Sequence, residues 1–222
     1  MTGVLINTFA VILGPIIGTL IKKFLNEDVK KVVMDAMGLA VLCVGITDAL
    51  KTENVLCLVL SLAVGGAVGA FLQIQHRLDK LGDFLQKKFG SSDNKLAEGF
   101  VNATLITCVG AMAIYGSIQS GLGNHTTLLV KSTMDFVITV TLSASLGWGT
   151  ALCAIPLFII QGTFALFAST LSPYATPSFL NQLSGIGGAI VMGIGINLLG
   201  LKKVPVANLI PAIFGAVTMF FI

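Results

Sequence analysis

The residues of this chain best suited to chemistry lie in one apolar run, between residues 128 and 147. Lys131 lies one helical turn before Asp135 and could pair with it. Charged residues within a membrane helix usually face a protein interior or a pathway. We therefore predict a stripe that couples transport to a proton or cation, with a structural ion pair in the outer third of the helix as the alternative. Polar residues spaced three or four apart form the stripe, namely Lys131, Ser132, Asp135 and Thr139, continuing inward to Ser143.

Two other apolar runs carry a proline near their middle. Gly14-Pro15 lies in the first run, and Pro156 followed by Gln161-Gly162 lies in the sixth. A proline removes a backbone hydrogen bond, and paired helix breaks in two inverted halves point to a substrate site. Kinks that serve packing alone are the alternative. The predicted substrate-binding residues are Asn7, Gly14, Pro15, Pro156, Gln161 and Gly162.

Motifs of known enzymes and cofactor sites are absent from the sequence. It has no nucleophile elbow, no P-loop and no H-E-x-x-H. His76 and His125 fall in gaps on opposite faces, and the cysteines form no C-x-x-C pair. We predict that the chain is not an enzyme and has no metal or cofactor. The four cysteines, interpreted as small apolar residues at helix contacts, are Cys43, Cys57, Cys108 and Cys153.

The composition places these residues in a membrane. Hydrophobic residues make up 55% of the chain, charged residues 10%, and the mean hydropathy is +0.95. A spanning helix needs about 20 apolar residues, so the 222 residues suffice for about eight spans and short connections. We predict an all-α polytopic membrane protein with a single transmembrane domain, 1–222. The predicted spans are 1–21, 32–50, 54–74, 96–118, 128–147, 150–171, 182–201 and 204–222.

The basic residues predict the orientation of these spans. Eleven of the thirteen Lys and Arg residues fall in alternate gaps, and only Lys51 and Lys131 fall on the other side. Short loops rich in Lys and Arg stay in the cytoplasm, so both termini are predicted to lie outside. The positive charge is thereby explained without nucleic acid as a partner. The residues on the inner side are Lys22, Lys23, Lys30, Lys31, Arg77, Lys80, Lys87, Lys88, Lys95, Lys202 and Lys203.

The segment 75–95 is predicted to be an amphipathic helix on the cytoplasmic surface of the bilayer. Leu78, Leu81, Leu85 and Phe89 recur there at helical spacing, opposite basic residues.

An internal repeat is also predicted. A shift of 150 residues aligns Gly38 with Gly188, Gly45-Ile46 with Gly195-Ile196, and Gly65 with Gly215. The first repeat would be 1–74 (spans 1–3), the second 150–222 (spans 6–8), with a central helix pair at 96–149. Equivalent helices are five spans apart, an odd number, so the two copies would be inverted. Inverted repeats are typical of secondary transporters.

The stretch from Cys108 to Ser117, CVGAMAIYGS, resembles an uncharacterised bacterial inner-membrane family, domain-of-unknown-function family five-five-four, typified by YqgA and YdfK. The resemblance covers essentially the whole chain and implies a multi-pass protein of the bacterial inner membrane. It implies no substrate. At Asn124-His125, where relatives often have an acidic residue, no cation role is assigned. The other matching positions are Gly3, Asn7, Gly14, Gly18, Gly121-Leu122, Lys131-Ser132, Asp135, Leu146-Gly147, Gly149, Pro156 and Gln161-Gly162.

These features lead to one main hypothesis and two alternatives. The main hypothesis is a small secondary transporter or facilitator, in which a small solute binds between spans one, five and six and Asp135 couples transport to a proton or cation. Asp135→Asn would then abolish coupled transport and leave the fold intact. The alternatives are a channel formed by a homo-oligomer, and a non-transporting membrane protein that recruits a cytoplasmic partner through 75–95.

Overall fold

The computed structural model describes residues 1–22, 26–77, 80, 96–108 and 111–220. Within these ranges the chain is helical and has no strand, which confirms the all-α prediction. The predicted amphipathic helix at 75–95 falls mainly outside the described residues. The main α-helices are α1 (Thr2–Lys22), α2 (Glu27–Ala49), α3 (Val55–Phe71), α4 (Leu96–Cys108), α5 (Ala111–Gly121), α6 (Thr126–Leu146), α7 (Ala154–Leu166), α8 (Ala168–Leu171) and α9 (Pro177–Leu198). The 3-10 helices are Trp148–Cys153, Ser172–Tyr174 and Val206–Phe220.

Several of these helices have the length and composition of membrane spans. In the described part of the chain, five helices are long and apolar enough to cross a bilayer. The pair α4 and α5 counts as a sixth if it is one broken span, since its two halves are inclined at 62°. The span predicted at 96–118 is thus bent between α4 and α5, which hydropathy does not reveal because it reports only how apolar a segment is. Two shorter apolar helices are α3 and Val206–Ala216.

The distribution of polarity is inverted relative to a soluble domain. Leu5 and Phe9 of α1 are exposed, whereas Asn7 between them is fully buried. Phe71 and Phe214 are similarly exposed. So many large apolar side chains face outward only where the surroundings of the protein are also apolar. The protein is a membrane protein with polar groups in its interior.

The chain forms two compact units that interleave in sequence. Unit 1 comprises Met1–Met34 and Leu81–Pro173, and unit 2 comprises Asp35–Lys80 and Tyr174–Ile222. Unit 1 therefore contains α1 and α4 to α8, while unit 2 contains most of α2 together with α3, α9 and the 3-10 helix Val206–Phe220.

In unit 1, α1 and α6 run parallel in close contact. Gly3 faces Leu128, Gly14 faces Thr139, and Gly18 faces Ser143 and the carbonyl of Val140. At Gly14 and Gly18 a Cβ would overlap these atoms, so glycine is required for the two helices to approach. The Gly14-x-x-x-Gly18 pair is thus a contact surface within the chain.

The polypeptide reverses after α6, as the predicted division of 128–171 into two spans requires. Gly147 has φ 82°, a conformation that favours glycine, and it ends the helix at Leu146. Next comes the 3-10 helix Trp148–Cys153, and then α7 runs antiparallel to α1. Gln161 lies beside Asn7, and further along α7 Ala165 lies beside Val4.

In unit 2, two antiparallel helix pairs approach through glycines. Gly45 on α2 contacts Gly188 on α9, and Gly38 contacts Gly195. On α3, Gly65 faces Ala212 and Gly69 faces Asn208 of the 3-10 helix. Because glycine has no side chain, these residues allow the helix backbones to pack closely in an apolar environment.

Hydrogen bonds attach the loop between α2 and α3 to the start of α9. Oε1 of the buried Gln182 accepts hydrogen bonds from Thr52 Oγ1 (2.9 Å) and Asn54 N (3.2 Å). In the same loop, Glu53 accepts hydrogen bonds from Ser178 Oγ and Asn181 Nδ2, both at 2.7 Å. The two donors hold the pKa of the Glu53 carboxyl below its ordinary value.

This lowered pKa predicts a pH-dependent contribution of Glu53 to stability. Because the pKa is lower in the folded than in the unfolded protein, the contribution is present above the unfolded pKa and is lost as the pH falls through the folded one. We expect Glu53→Gln to unfold at a lower temperature than wild type at pH 7, and the gap to close in acid. Thermal unfolding from pH 7 to pH 3 measures this, and a gap that persisted unchanged in acid would contradict it.

Candidate functional site

Four polar side chains meet in the interior of unit 1. On α6, Lys131 Nζ donates to both carboxylate oxygens of Asp135, at 2.8 and 2.9 Å. Asn7 Nδ2, from α1, donates to Asp135 Oδ2 at 3.0 Å and to Oε1 of Gln161, from α7, at 3.2 Å. We call Asn7, Lys131, Asp135 and Gln161 the polar cluster. It brings together three helices that the sequence predicted to surround the solute path.

The polar cluster is almost completely shielded. Asn7 and Gln161 are 0% exposed, Asp135 1% and Lys131 8%. Asp135 is the tenth residue of the 21-residue helix α6, which begins two residues before the predicted span. Removing an ion pair from water is expensive, and only good geometry with additional hydrogen bonds offsets the cost. Lys131 and Asn7 supply both.

Two atoms of the polar cluster lack a hydrogen-bond partner among the described residues. They are Oδ1 of Asn7, an acceptor, and Nε2 of Gln161, a donor. Leaving a buried polar group unpaired costs about 1–3 kcal/mol. A buried unpaired group in a native structure is explained by stored strain, by a catalytic role or by a bound water or ion.

Gly162 follows Gln161 on α7. This residue is buried. Nevertheless, no heavy atom described outside its own helix and chain neighbours lies within 4 Å of the place where a Cβ would stand. By contrast, a Cβ at Gly14 would overlap Thr139. The α7 backbone beside Gln161 is thus loosely packed.

The hydroxyl groups of the predicted coupling stripe bond to their own helix. Ser132 Oγ donates to the carbonyl of Leu128 at 2.6 Å, and Thr139 Oγ1 donates to the carbonyl of Asp135 at 2.8 Å. Such bonds satisfy a hydroxyl within a membrane helix. Of the stripe, Lys131 and Asp135 therefore belong to the polar cluster, while Ser132 and Thr139 flank it.

Pro15 does not interrupt α1, whereas the predicted sixth span changes from the 3-10 helix Trp148–Cys153 to α7 two residues before Pro156. The backbone is helical from Thr2 to Lys22 through Pro15, and from Ala154 to Leu166 through Pro156. Pro156 lies in the first turn of its helix, where a missing N–H costs little. Pro15 removes one hydrogen bond from a helix that its contact with α6 holds in place. Gly14 and Pro15 lie further along α1 than Asn7, and Pro156 lies nearer the start of α7 than Gln161.

Sequence reasoning gave two buried thiols of unit 1 no role beyond packing. Cys108 on α4 and Cys153 in the 3-10 helix Trp148–Cys153 are both buried, and the charges of Lys131 and Asp135 act on both thiols. Thr107 Oγ1 lies 3.7 Å from the sulfur of Cys108. Their spacing in the sequence has no recognisable period, because they come from different helices.

Comparison with known proteins matches this architecture to a family. The sequence model of the family described as "Protein of unknown function (DUF554)" matches residues 2–221. The chain belongs to the DUF554 family. The resemblance seen in the sequence is thereby confirmed.

Two relatives extend along almost the whole chain. The "Uncharacterized membrane protein YdfK" of Bacillus subtilis (strain 168) is 31% identical over 227 residues, covering 100% of this chain and 96% of its own length. The "Uncharacterized protein YqgA" of Escherichia coli (strain K12) is 30% identical over 223 residues, covering 98% and 95%. No solved structure matches this member of the DUF554 family.

Proposed function

We propose that the protein is a small secondary transporter or facilitator, not an enzyme, and that the polar cluster binds its solute. The observation that carries the proposal is a buried set of four polar side chains from three helices, with an unpartnered acceptor on Asn7 and an unpartnered donor on Gln161. Charged residues in the middle of membrane helices are expensive, and they are usually retained for substrate or ion pathways. The proposal does not depend on helix breaks at Pro15 and Pro156.

The chemistry of the polar cluster favours an uncharged solute. Lys131 and Asp135 neutralise each other, so a charged solute would introduce an uncompensated charge into the interior. The free positions on Asn7 and Gln161 are one acceptor and one donor. A hydroxyl or carboxamide group can satisfy both, and the space beside Gly162 suits a small molecule. Asp135 would couple transport to the movement of a proton or cation.

The order of the eight predicted spans is supported by helix directions in unit 1. Because α1 and α6 are parallel, an odd number of crossings separates them; α7 is antiparallel to α1. These directions agree with the predicted order of spans one, five and six. At a rise of about 2.0 Å per residue, the 15-residue 3-10 helix Val206–Phe220 is about 30 Å long, similar to a bilayer core. With Lys131 inside α6, Lys51 becomes the one basic residue assigned to the outer side.

The inverted repeat is supported by the way its two copies divide between the units. In each predicted repeat the first long helix, α1 or α7, belongs to unit 1, and the next two lie mostly or wholly in unit 2. The equivalent glycines also contact each other reciprocally: Gly38 meets Gly195, and Gly45 meets Gly188. Reciprocal contacts are the pattern expected of a local twofold axis. The bilayer would be the bacterial inner membrane, since relatives occur in bacteria and one is named a membrane protein.

Solute flux into liposomes tests the proposal. Purified protein is first screened for melting shifts against uncharged hydroxyl and carboxamide compounds, since a ligand of the native state stabilises it. Compounds that shift melting are then added to proteoliposomes containing a pH-sensitive dye, and uptake and proton movement are followed together. We expect uptake well above that of empty liposomes, and at least tenfold slower uptake in Gly162→Ala with unchanged melting. Wild-type flux equal to that of empty liposomes for every such compound would refute transport.

A further inference from the structure

The ammonium group of Lys131 lies where a bound metal cation would otherwise bridge the carboxylate of Asp135. Its Nζ contacts both oxygens at nearly equal distances, 2.8 and 2.9 Å. Asn7 Oδ1, a carbonyl oxygen without a partner among the described residues, belongs to the amide that bonds Asp135. Carboxylate and carbonyl oxygens are the ligands that hard cations prefer.

We infer that Lys131 is a tethered cation, which supplies from within the chain the charge that Na⁺ or K⁺ would otherwise supply at Asp135. An ammonium and an alkali cation each carry one positive charge, so either one can balance a single buried carboxylate. A covalently attached cation is always present, so the site is independent of Na⁺ and K⁺. This step rests on the proposed function. Because Na⁺ and K⁺ are not needed at Asp135, the proton is the ion that couples transport.

The surroundings of the pair agree with this assignment. Among the described residues, the thiols of Cys108 and Cys153 are titratable groups on which the charges of the pair act. From α1 and α7 it meets the uncharged amides of Asn7 and Gln161. Without the carboxylate of Asp135, the charge of Lys131 would be uncompensated in the interior, which is unfavourable.

Thermal unfolding of purified protein in three chloride salts tests the inference without knowledge of the solute. Wild type is expected to melt at the same temperature in NaCl, KCl and choline chloride of equal ionic strength. Lys131→Met and Lys131→Gln expose Asp135 to the salt, and Na⁺ or K⁺ at about 100 times Kd should raise their melting temperature by roughly 5–10 °C over choline. The double variant Lys131→Met with Asp135→Leu has no carboxylate and should not respond.

The outcomes separate the two proposals. Stabilisation of wild type by Na⁺ or K⁺ overturns the tethered cation. The tethered cation is also overturned if neither NaCl nor KCl raises the melting temperature of Lys131→Met and Lys131→Gln. Failure to obtain both variants folded in either salt has the same meaning. If the melting temperature of wild type is the same in the three salts but the protein moves no solute, the transport proposal is refuted and the tethered cation is not. Solute uptake that requires Na⁺ would retain transport and refute the tethered cation.

Discussion

Asp135→Asn is expected to lower the free energy of unfolding by about 3–5 kcal/mol, because it leaves the buried ammonium of Lys131 without its counter-charge. Lys131 is only 8% exposed, and its two hydrogen bonds to the carboxylate are its contacts in the polar cluster. The sequence alone suggested that this substitution would spare the fold. The burial of the pair argues against that expectation. Loss of coupled transport in Asp135→Asn therefore assigns a coupling role to Asp135 only if the variant remains folded under the conditions of the transport assay.

A double-mutant cycle separates the pairing from burial. Lys131→Leu combined with Asp135→Leu removes both charges, and we expect it to be less destabilised than the sum of the two single changes. Thermal unfolding in detergent measures all four proteins. The control is Asp48→Asn, which breaks the exposed Lys51–Asp48 ion pair and should cost no more than about 1 kcal/mol. Additive losses in the cycle would show that Lys131 and Asp135 do not stabilise each other.

Gly18→Ala is expected to destabilise the protein by about 3 kcal/mol, the upper end of the usual range for overpacking. The added Cβ would overlap Ser143 Oγ and the carbonyl oxygen of Val140. A backbone carbonyl cannot rotate away as a flexible side chain can, so α1 and α6 must separate. Because Asn7 and Asp135 are held together by this helix pair, the separation should also weaken the polar cluster.

Gly162→Ala is the matched control for Gly18→Ala. Both glycines are buried in unit 1 helices, but at Gly162 a Cβ has no described neighbour within 4 Å beyond its own helix and chain neighbours. Alanine favours a helix over glycine by up to about 1 kcal/mol, so this variant should be as stable as wild type or slightly more so. Thermal unfolding of the two variants side by side provides the measurement. Equal destabilisation of both would show that helix separation is not the cause of the Gly18→Ala effect.

Local patterns predicted part of the polar cluster correctly. Lys131 and Asp135 are four residues apart on one helix, so their pairing follows from helical geometry. Asn7 and Gln161 were recognisable as isolated amides in apolar runs. Their contact was harder to foresee, because it joins side chains 154 residues apart and depends on how α1 and α7 pack. The sequence did not distinguish Cys108 and Cys153 from the apolar residues around them, and both are buried.

Prolines and hydropathy windows were less informative. Pro15 was expected to break α1, but packing against α6 keeps the helix continuous. The window at 96–118 is apolar throughout, yet α4 and α5 meet at 62°. Proline and hydropathy describe local preference, whereas the direction of a helix depends on its neighbours.

By itself, the sequence determined that this is an all-helical membrane protein with a lysine–aspartate pair on one helix, because apolar length and helical period are properties of single segments. The tertiary structure alone decided that Asn7 and Gln161 complete a shielded cluster around Asp135, and that two of their polar atoms remain unpartnered within the described chain. The physical reason is that desolvation and hydrogen bonding between distant segments arise only when the helices pack.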